Sequence, residues 1–249
     1  MRAAEHSGMR LLSQHDLAGR GHCGEGLALL RRADRKYLYV ANERGPVNFS
    51  VLDVTDPTGP VLLSQTTLPH RYVRSNSLAL GDDLLIVAYQ VAAPGQRPAG
   101  IDVFDLSRPA EPRLIGSLDM SGPHSRGTHW VGYTGGRYAY LSTGTPDSRP
   151  THPLDDQFTV TVDLSRPDQP AEAGRWWLPG TQAADGCPPP IRHERFDAGI
   201  LAHCILSRTI RAPSASAWSF LKAVWRGRYF IPQSGPAISR RASMKPSAR

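Results

Sequence analysis

A short segment of sequence occurs three times along this chain, each time as an apolar run, a turn with aspartate and proline, and a second apolar run. Apolar residues inside the copies alternate or form short runs, and they do not follow the period of a helix. Repetition at this length without a helical period predicts stacked β-sheet units. The copies lie at 49–68, 101–120 and 160–178, and their aspartates, Asp53, Asp105 and Asp163, are 52 and 58 residues apart.

Four short apolar runs, separated by turn residues, follow one another inside each repeat and predict four strands. They cover 26–30, 37–41, 49–54 and 61–68 in the first repeat, 77–80, 84–89, 101–106 and 113–120 in the second, and 130–133, 138–142, 158–164 and 171–178 in the third. Four antiparallel strands in a unit of about 50 residues are typical of a β-propeller blade. We therefore expect an all-β fold of about three propeller-type blades, with units at 18–68, 69–120 and 121–178 and the start of a fourth extending to about 199.

The segment 11–17, LLSQHDL, repeats the second half of the unit before the first blade begins. It predicts an orphan N-terminal strand that closes a ring by pairing with the last blade. Propellers close with about four to eight blades, and three blades do not normally form a ring. We therefore expect an incomplete propeller whose two open edges favour self-association, because unpaired edge strands pair readily with other strands.

The charge of the chain is unevenly distributed. The formal net charge is +7, but all 22 acidic residues and 20 of the 29 basic residues lie at or before Asp197, so that part carries −2. A nucleic-acid surface needs a basic stripe, and we expect no nucleic-acid binding by the repeats. Residues 200–249 are rich in Pro, Ser and Arg. They predict either a disordered or non-native tail, left by a truncation or a frameshift, or a basic arm for an acidic partner.

The repeated turn has the pattern Asp-[Val/Leu]-[Ser/Thr]-x-Pro, at 53–57, 105–109 and 163–167. It resembles the turn of LVIVD-repeat proteins, which are taken to be β-propellers, and the resemblance covers roughly 11–197. The chain is more distantly similar to the selenium-binding and methanethiol-oxidase propellers. The resemblance implies a propeller fold, and the methanethiol-oxidase likeness implies histidines in the central channel. No activity carries over residue by residue, because the chain lacks some of the blades of those proteins.

Aligning the blades on their first strands puts Glu25, Asn76 and His129 at one position, and His203 would take it in a fourth blade. In a propeller this position lies at one mouth of the central channel. Imidazole and carboxylate groups there could hold a divalent metal or copper, with His124 as a further ligand. The alternative is that polar residues at a channel mouth bind water and satisfy exposed strand ends.

Catalytic sequence motifs such as G-x-S-x-G, a Walker loop or a dinucleotide fingerprint do not occur. We therefore assign no catalytic residue, and we expect a binding or scaffold protein that recognises a protein or a small molecule with its loops. The alternative is a metal-dependent oxidase or hydrolase at the channel mouth, and we expect no other cofactor. Three cysteines without a close pair, the lack of an apolar run of membrane-spanning length, and no signal peptide predict a cytoplasmic protein that does not bind membranes.

Overall fold

A computed structural model of the chain describes residues 9–20 and 23–189, with only the backbone for 23–25. The described residues form three four-stranded antiparallel sheets and one short hairpin. The first sheet consists of β1 (Cys23–Arg31), β2 (Lys36–Asn42), β3 (Val47–Asp53) and β4 (Val61–Thr67). The second consists of β5 (Val73–Gly81), β6 (Leu84–Val91), β7 (Gly100–Asp105) and β8 (Arg113–Asp119). The hairpin of β9 (Ser121–Gly122) and β10 (Ser125–Arg126) precedes the third sheet, which consists of β11 (Thr128–Gly132), β12 (Tyr138–Thr143), β13 (Phe158–Asp163) and β14 (Ala171–Trp176). Two 3₁₀ turns, Pro153–Asp155 and Ala183–Asp185, complete the described elements. The predicted all-β class and the repeat of four antiparallel strands are confirmed.

The three sheets share one pairing register. Strands pair in chain order within each sheet, and the register between the third and fourth strands shifts at the same place, just before the repeated aspartate. The aspartates Asp53, Asp105 and Asp163 stand opposite Tyr37, Leu84 and Tyr138. Residues at one offset from these aspartates are therefore structurally equivalent in the three sheets.

Apolar side chains are buried in two clusters, one joining the first and second sheets and one joining the second and third. In the first cluster the rings of Phe49 and Phe104 meet edge to face, with centroids 5.2 Å apart. In the second cluster Val103 and Val160 are both fully buried. Each buried side chain of this size contributes about 1.5–3 kcal/mol, so contacts between neighbouring sheets are a main source of stability.

The turn after the third strand of one sheet reaches the outer strand of the sheet before it. Ser64 Oγ in β4 donates a hydrogen bond to the carbonyl oxygen of Ala110, at 2.6 Å. At the equivalent position in β8, a methyl group on Gly116 would lie 2.3 Å from the carbonyl oxygen of Pro167. The third equivalent is Gly174, where a built methyl group has no described atom within 4 Å. The turn of the following sheet therefore packs against β4 and against β8. Within residues 9–189 no turn packs against β14 in this way.

The first strand of the first sheet exposes leucines on the face directed away from the second sheet. Leu27 is 63% exposed and Leu29 is 40% exposed. The equivalent of Leu27 in the second sheet, Leu78, is only 7% exposed because the first sheet packs over it. The outer face of the first sheet therefore lacks, among the described residues, the cover that the second sheet receives.

The repeated aspartates stabilise the turns that follow their strands. The backbone N–H two residues later donates to each carboxylate, at 2.9 Å for Asp53 and at 2.8 Å for Asp105 and Asp163. Hydrogen bonds from Thr55 lower the pKa of Asp53, and those from Ser107 and Arg113 lower the pKa of Asp105. These carboxylates belong to three different sheets and act structurally.

The predicted orphan strand at 11–17 is wrong, because these residues form no strand. They lie against the first sheet, where Ser13 Oγ donates to the carbonyl oxygen of Pro57 at 2.7 Å and Gln65 Nε2 donates to that of Leu17 at 3.1 Å. Leu17 and Ala18 have φ of 55° and 57°, which ends any extended run. Side-chain hydrogen bonds to and from the first sheet and its turn therefore hold this segment without strand pairing.

The predicted start of a fourth blade, from 190 to about 199, and the predicted tail at 200–249 lie outside the described residues. None of the helices in the described part of the chain has the length and apolar composition needed to cross a bilayer.

Candidate functional site

The first strands of the three sheets lie side by side, and two of the predicted metal ligands are on them. Asn76 is the unpaired residue of a β-bulge in β5, and His129 is the unpaired residue of a β-bulge in β11. The sheets touch here, because a methyl group on Gly26 would lie 3.1 Å from the carbonyl oxygen of Asn76. The predicted alignment of Asn76 with His129 is therefore structurally correct, and bulges often redirect side chains near functional sites.

The side chain of Asn76 is buried in a small polar network. It is 2% exposed, and its Nδ2 donates to Oε1 of Gln90 at 3.2 Å. The same oxygen accepts a hydrogen bond from Nη2 of Arg74 at 3.0 Å. The amide oxygen of Asn76 has no hydrogen-bond partner among the described residues, whereas His129 is half-buried and has an interaction of its own.

The other predicted ligands are not brought to this place. His124 is exposed in the turn of the β9–β10 hairpin and lines a separate cavity of about 310 Å³ with His152, Arg126 and Asp156. The side chain of Glu25 and all of His203 lie outside the described residues. No group of three or more His, Cys, Asp or Glu residues placed to hold a metal occurs in the described part. The metal site stays a prediction.

A larger cavity, of about 430 Å³, lies between the first and second sheets. We call it the intersheet cavity. The first sheet and its connection contribute Asn48, Thr66, Thr67 and Pro69 to the wall, and the second sheet contributes Tyr89, Pro98–Asp102, Phe104, Pro112, Leu114 and Ser117–Asp119. Most of these side chains are apolar, and a few polar groups converge among them. This combination is typical of small-molecule sites, which have volumes of about 300–1,000 Å³.

Asp102 is the central polar group of the intersheet cavity. It lies on β7 and is 9% exposed, and its Oδ1 accepts a hydrogen bond from Ser117 Oγ at 2.6 Å. The phenol of Tyr89 donates a second hydrogen bond to the same carboxylate, and Asn48 Nδ2 donates to that phenol at 2.6 Å. Burial raises the pKa of Asp102, although the hydrogen bonds from Ser117 and Tyr89 work in the opposite direction. Burial also raises the pKa of Tyr89, helped by the charge of Asp102, so the phenol stays protonated and acts as a donor.

A second carboxylate, that of Asp119, lines the cavity but is already satisfied. Its Oδ1 accepts hydrogen bonds from the backbone N–H groups of Ala99 and Ser121, at 3.2 and 2.9 Å. Nε of Arg97 lies 3.6 Å from its other oxygen. Burial opposes ionisation, but the hydrogen bonds from Ser121 and Ala99 and the charge of Arg97 outweigh it and lower the pKa of Asp119. Asp119 therefore serves as an anion that holds its own loop.

Sequence reasoning missed the intersheet cavity. The available signal was in the repeats, because Asp102 occupies the position that Ser50 and Val160 occupy in the other two copies. A carboxylate at an inward-facing strand position is unusual, since buried charge is costly without partners. Its partners lie on other strands, so the sequence did not show them together.

Comparison with models of protein families finds no match, and comparison with curated protein sequences finds none either.

Proposed function

We propose that the chain is a propeller-type binding protein of the LVIVD-repeat kind, and that it binds a small molecule in the intersheet cavity. The observation that carries this proposal is a cavity of about 430 Å³ whose apolar wall surrounds one buried carboxylate. Three antiparallel sheets stacked through their apolar faces support the propeller-type architecture. Hydrogen bonds and packed strands hold the wall, and such preorganised sites bind with a low ordering cost.

The experiment measures binding of three probes of one shape to the full chain: benzylamine, benzyl alcohol and benzoate. Ligand-observed NMR or calorimetry should detect at least one of them. Leu114 is 52% exposed on the wall of the cavity, so Leu114→Trp should fill the space without disturbing the core and should abolish binding. The matched control is Leu62→Trp, at the equivalent position of the first sheet and away from the cavity. Equal loss in both variants, or no binding of any probe to the wild-type chain, would overturn the proposal.

The exposed outer face of the first sheet favours a second candidate function, self-association. We propose that a second copy of the chain covers Leu27 and Leu29, because the second sheet buries the equivalent leucine against a neighbouring sheet. Gly174 on the outer strand of the third sheet, where a built methyl group has no described atom within 4 Å, offers a place for the turn of another sheet. Burial of such apolar surface contributes about 25 cal/mol per Å².

Sedimentation analysis of the full chain tests this candidate. The wild-type chain should be a dimer or a larger assembly, and Leu27→Gln with Leu29→Gln should shift it toward the monomer. Leu154→Gln is the control, because Leu154 is similarly exposed at 52% but lies in a 3₁₀ turn of the third repeat. A wild-type monomer at all concentrations would mean that the chain covers this face itself, and self-association would be wrong.

A further inference from the structure

We infer that the intersheet cavity selects a small organic ammonium ion, a primary amine that carries an apolar group, and that Asp102 receives the positive charge. This inference rests on the binding function proposed for the same cavity.

The buried polar atoms of the wall include acceptors with room for further hydrogen bonds. Ser117 and Tyr89 donate to Asp102, and one N–H of Asn48 Nδ2 donates to Tyr89. A carboxylate offers about four lone-pair sites, and these two hydrogen bonds fill two of them. The oxygens Asn48 Oδ1 and Thr66 Oγ1 have no hydrogen-bond partner among the described residues. The Thr66 hydroxyl can donate or accept, whereas Asp102 and Asn48 Oδ1 can only accept, so a ligand that brings donors complements this wall, and an ammonium group brings three.

The charge of the wall also favours a cation. Asp102 and Asp119 line the cavity, and no Lys, Arg or His is among its described lining residues. Arg97 lies beside Asp119, with Nε 3.6 Å from its Oδ2, and donates to Ser121 Oγ at 3.4 Å. An anionic ligand would lie next to two carboxylates, and no positively charged side chain among the described lining residues could pair with it. This is unfavourable in a partly desolvated site.

The equivalent positions in the first sheet hold a neutral pair. There the pair is Ser50 with Gln65, and Gln65 Nε2 donates both to Ser50 Oγ at 2.9 Å and to the carbonyl oxygen of Leu17. In the first sheet the Ser50 hydroxyl is therefore the acceptor, and the Gln65 amide beside it is the donor. In the second sheet Asp102 and Ser117 take these two positions, and Ser117 donates to Asp102, so a carboxylate replaces the neutral hydroxyl as the acceptor.

The remaining wall accommodates an apolar body. Phe104, Pro112 and Leu114 continue the cavity along the second sheet. A benzyl or short alkyl group placed there would bury apolar surface while its ammonium group stays at Asp102. The cavity thus separates an anionic end from an apolar end, as a site for a primary amine requires.

The three probes named above also test the charge. Benzylamine should bind the full chain at least about tenfold more tightly than benzyl alcohol, because hydrogen bonds to charged groups contribute more than neutral ones. Benzoate should bind more weakly than either. Asp102→Asn keeps the shape of the side chain and should remove the preference for benzylamine while binding of benzyl alcohol persists. Asp102→Ser, which copies the residue of the first sheet, gives the same test with a second variant if the amide disturbs folding.

The outcomes separate the inference from the proposed function. If benzylamine and benzyl alcohol bind equally and Leu114→Trp removes both, the cavity binds ligands but its selection of a cation is wrong. If benzylamine binds but Asp102→Asn and Asp102→Ser leave its preference over benzyl alcohol unchanged, another group binds the ammonium ion and the inference is overturned. If none of the probes binds, both the inference and the proposed function fail.

Discussion

Ser117 Oγ lies 2.6 Å from Oδ1 of Asp102, on the strand next to it, and this hydrogen bond fixes a carboxylate inside the wall of a cavity. The hydrogen bond lowers the cost of placing the charge there, but burial outweighs it and the pKa of Asp102 stays raised.

Asp102→Asn should make the chain more stable at neutral pH. A carboxyl whose pKa is higher in the folded state binds its proton more tightly there, so stability falls as the pH rises from the unfolded pKa through the folded pKa and stays lower above it. Below the unfolded value, near 3.8, both states are protonated and this cost disappears. Urea unfolding from pH 3 to pH 8 should therefore show a stability difference between variant and wild type that grows as pH rises. A variant that is less stable than the wild type at pH 7 would contradict this account of Asp102.

Tyr89→Phe should destabilise the chain by about 1–3 kcal/mol, because it leaves Asn48 Nδ2 and one side of Asp102 unsatisfied in a buried place. The control is Tyr133→Phe, which removes one hydrogen bond to the carbonyl oxygen of Gly136 at 3.1 Å, in a less buried setting. Its expected cost is about 0.5–1.5 kcal/mol. Thermal unfolding of both variants compares the two, and equal costs would show that the Tyr89 phenol is not part of a coupled network.

Gly116→Ala and Gly174→Ala form a matched pair on equivalent strands. A methyl group on Gly116 would meet the carbonyl oxygen of Pro167 at 2.3 Å, and the resulting displacement of the turn should cost about 1–3 kcal/mol. Gly174→Ala should be neutral or stabilising by about 0.5–1 kcal/mol, since alanine loses less conformational freedom than glycine. Denaturant unfolding checks both values. A large loss for Gly174→Ala would show that something covers the last outer strand.

Asp163→Asn should reduce stability at neutral pH more than Asp53→Asn. The guanidinium of Arg137 and the hydrogen bond from Ser165 hold the pKa of Asp163 far below its usual value, while Arg35 stands 3.7 Å from Asp53. A lowered pKa gives stability above the unfolded value that is lost as pH falls through the folded value. The difference between the Asp163 variant and the wild type should therefore shrink in acid. A difference independent of pH would mean that the carboxylate charge is not what stabilises this turn.

The sequence predicted the repeated strands well because their order and spacing are local properties of the chain. Apolar runs, the Asp-Ser/Thr-x-Pro turns and the alignment of Asn76 with His129 all follow from counting along one segment. The segment 11–17 was predicted wrongly, because its resemblance to a strand was local whereas its partners, Pro57 and Gln65, belong to the first sheet. The intersheet cavity could not be predicted, since Asn48, Tyr89 and Ser117 come from three strands whose facing depends on how two sheets pack.

Three copies of one backbone position carry serine, aspartate and valine, at Ser50, Asp102 and Val160. The repeats specify the same backbone framework three times, so one copy can carry a different side chain at this position while the fold is kept. Ser50 and Val160 are fully buried neutral side chains, whereas the middle copy carries Asp102, a carboxylate whose burial lowers stability. Chemical novelty in such a chain can arise one repeat at a time, because the neighbours on either side continue to hold the shape.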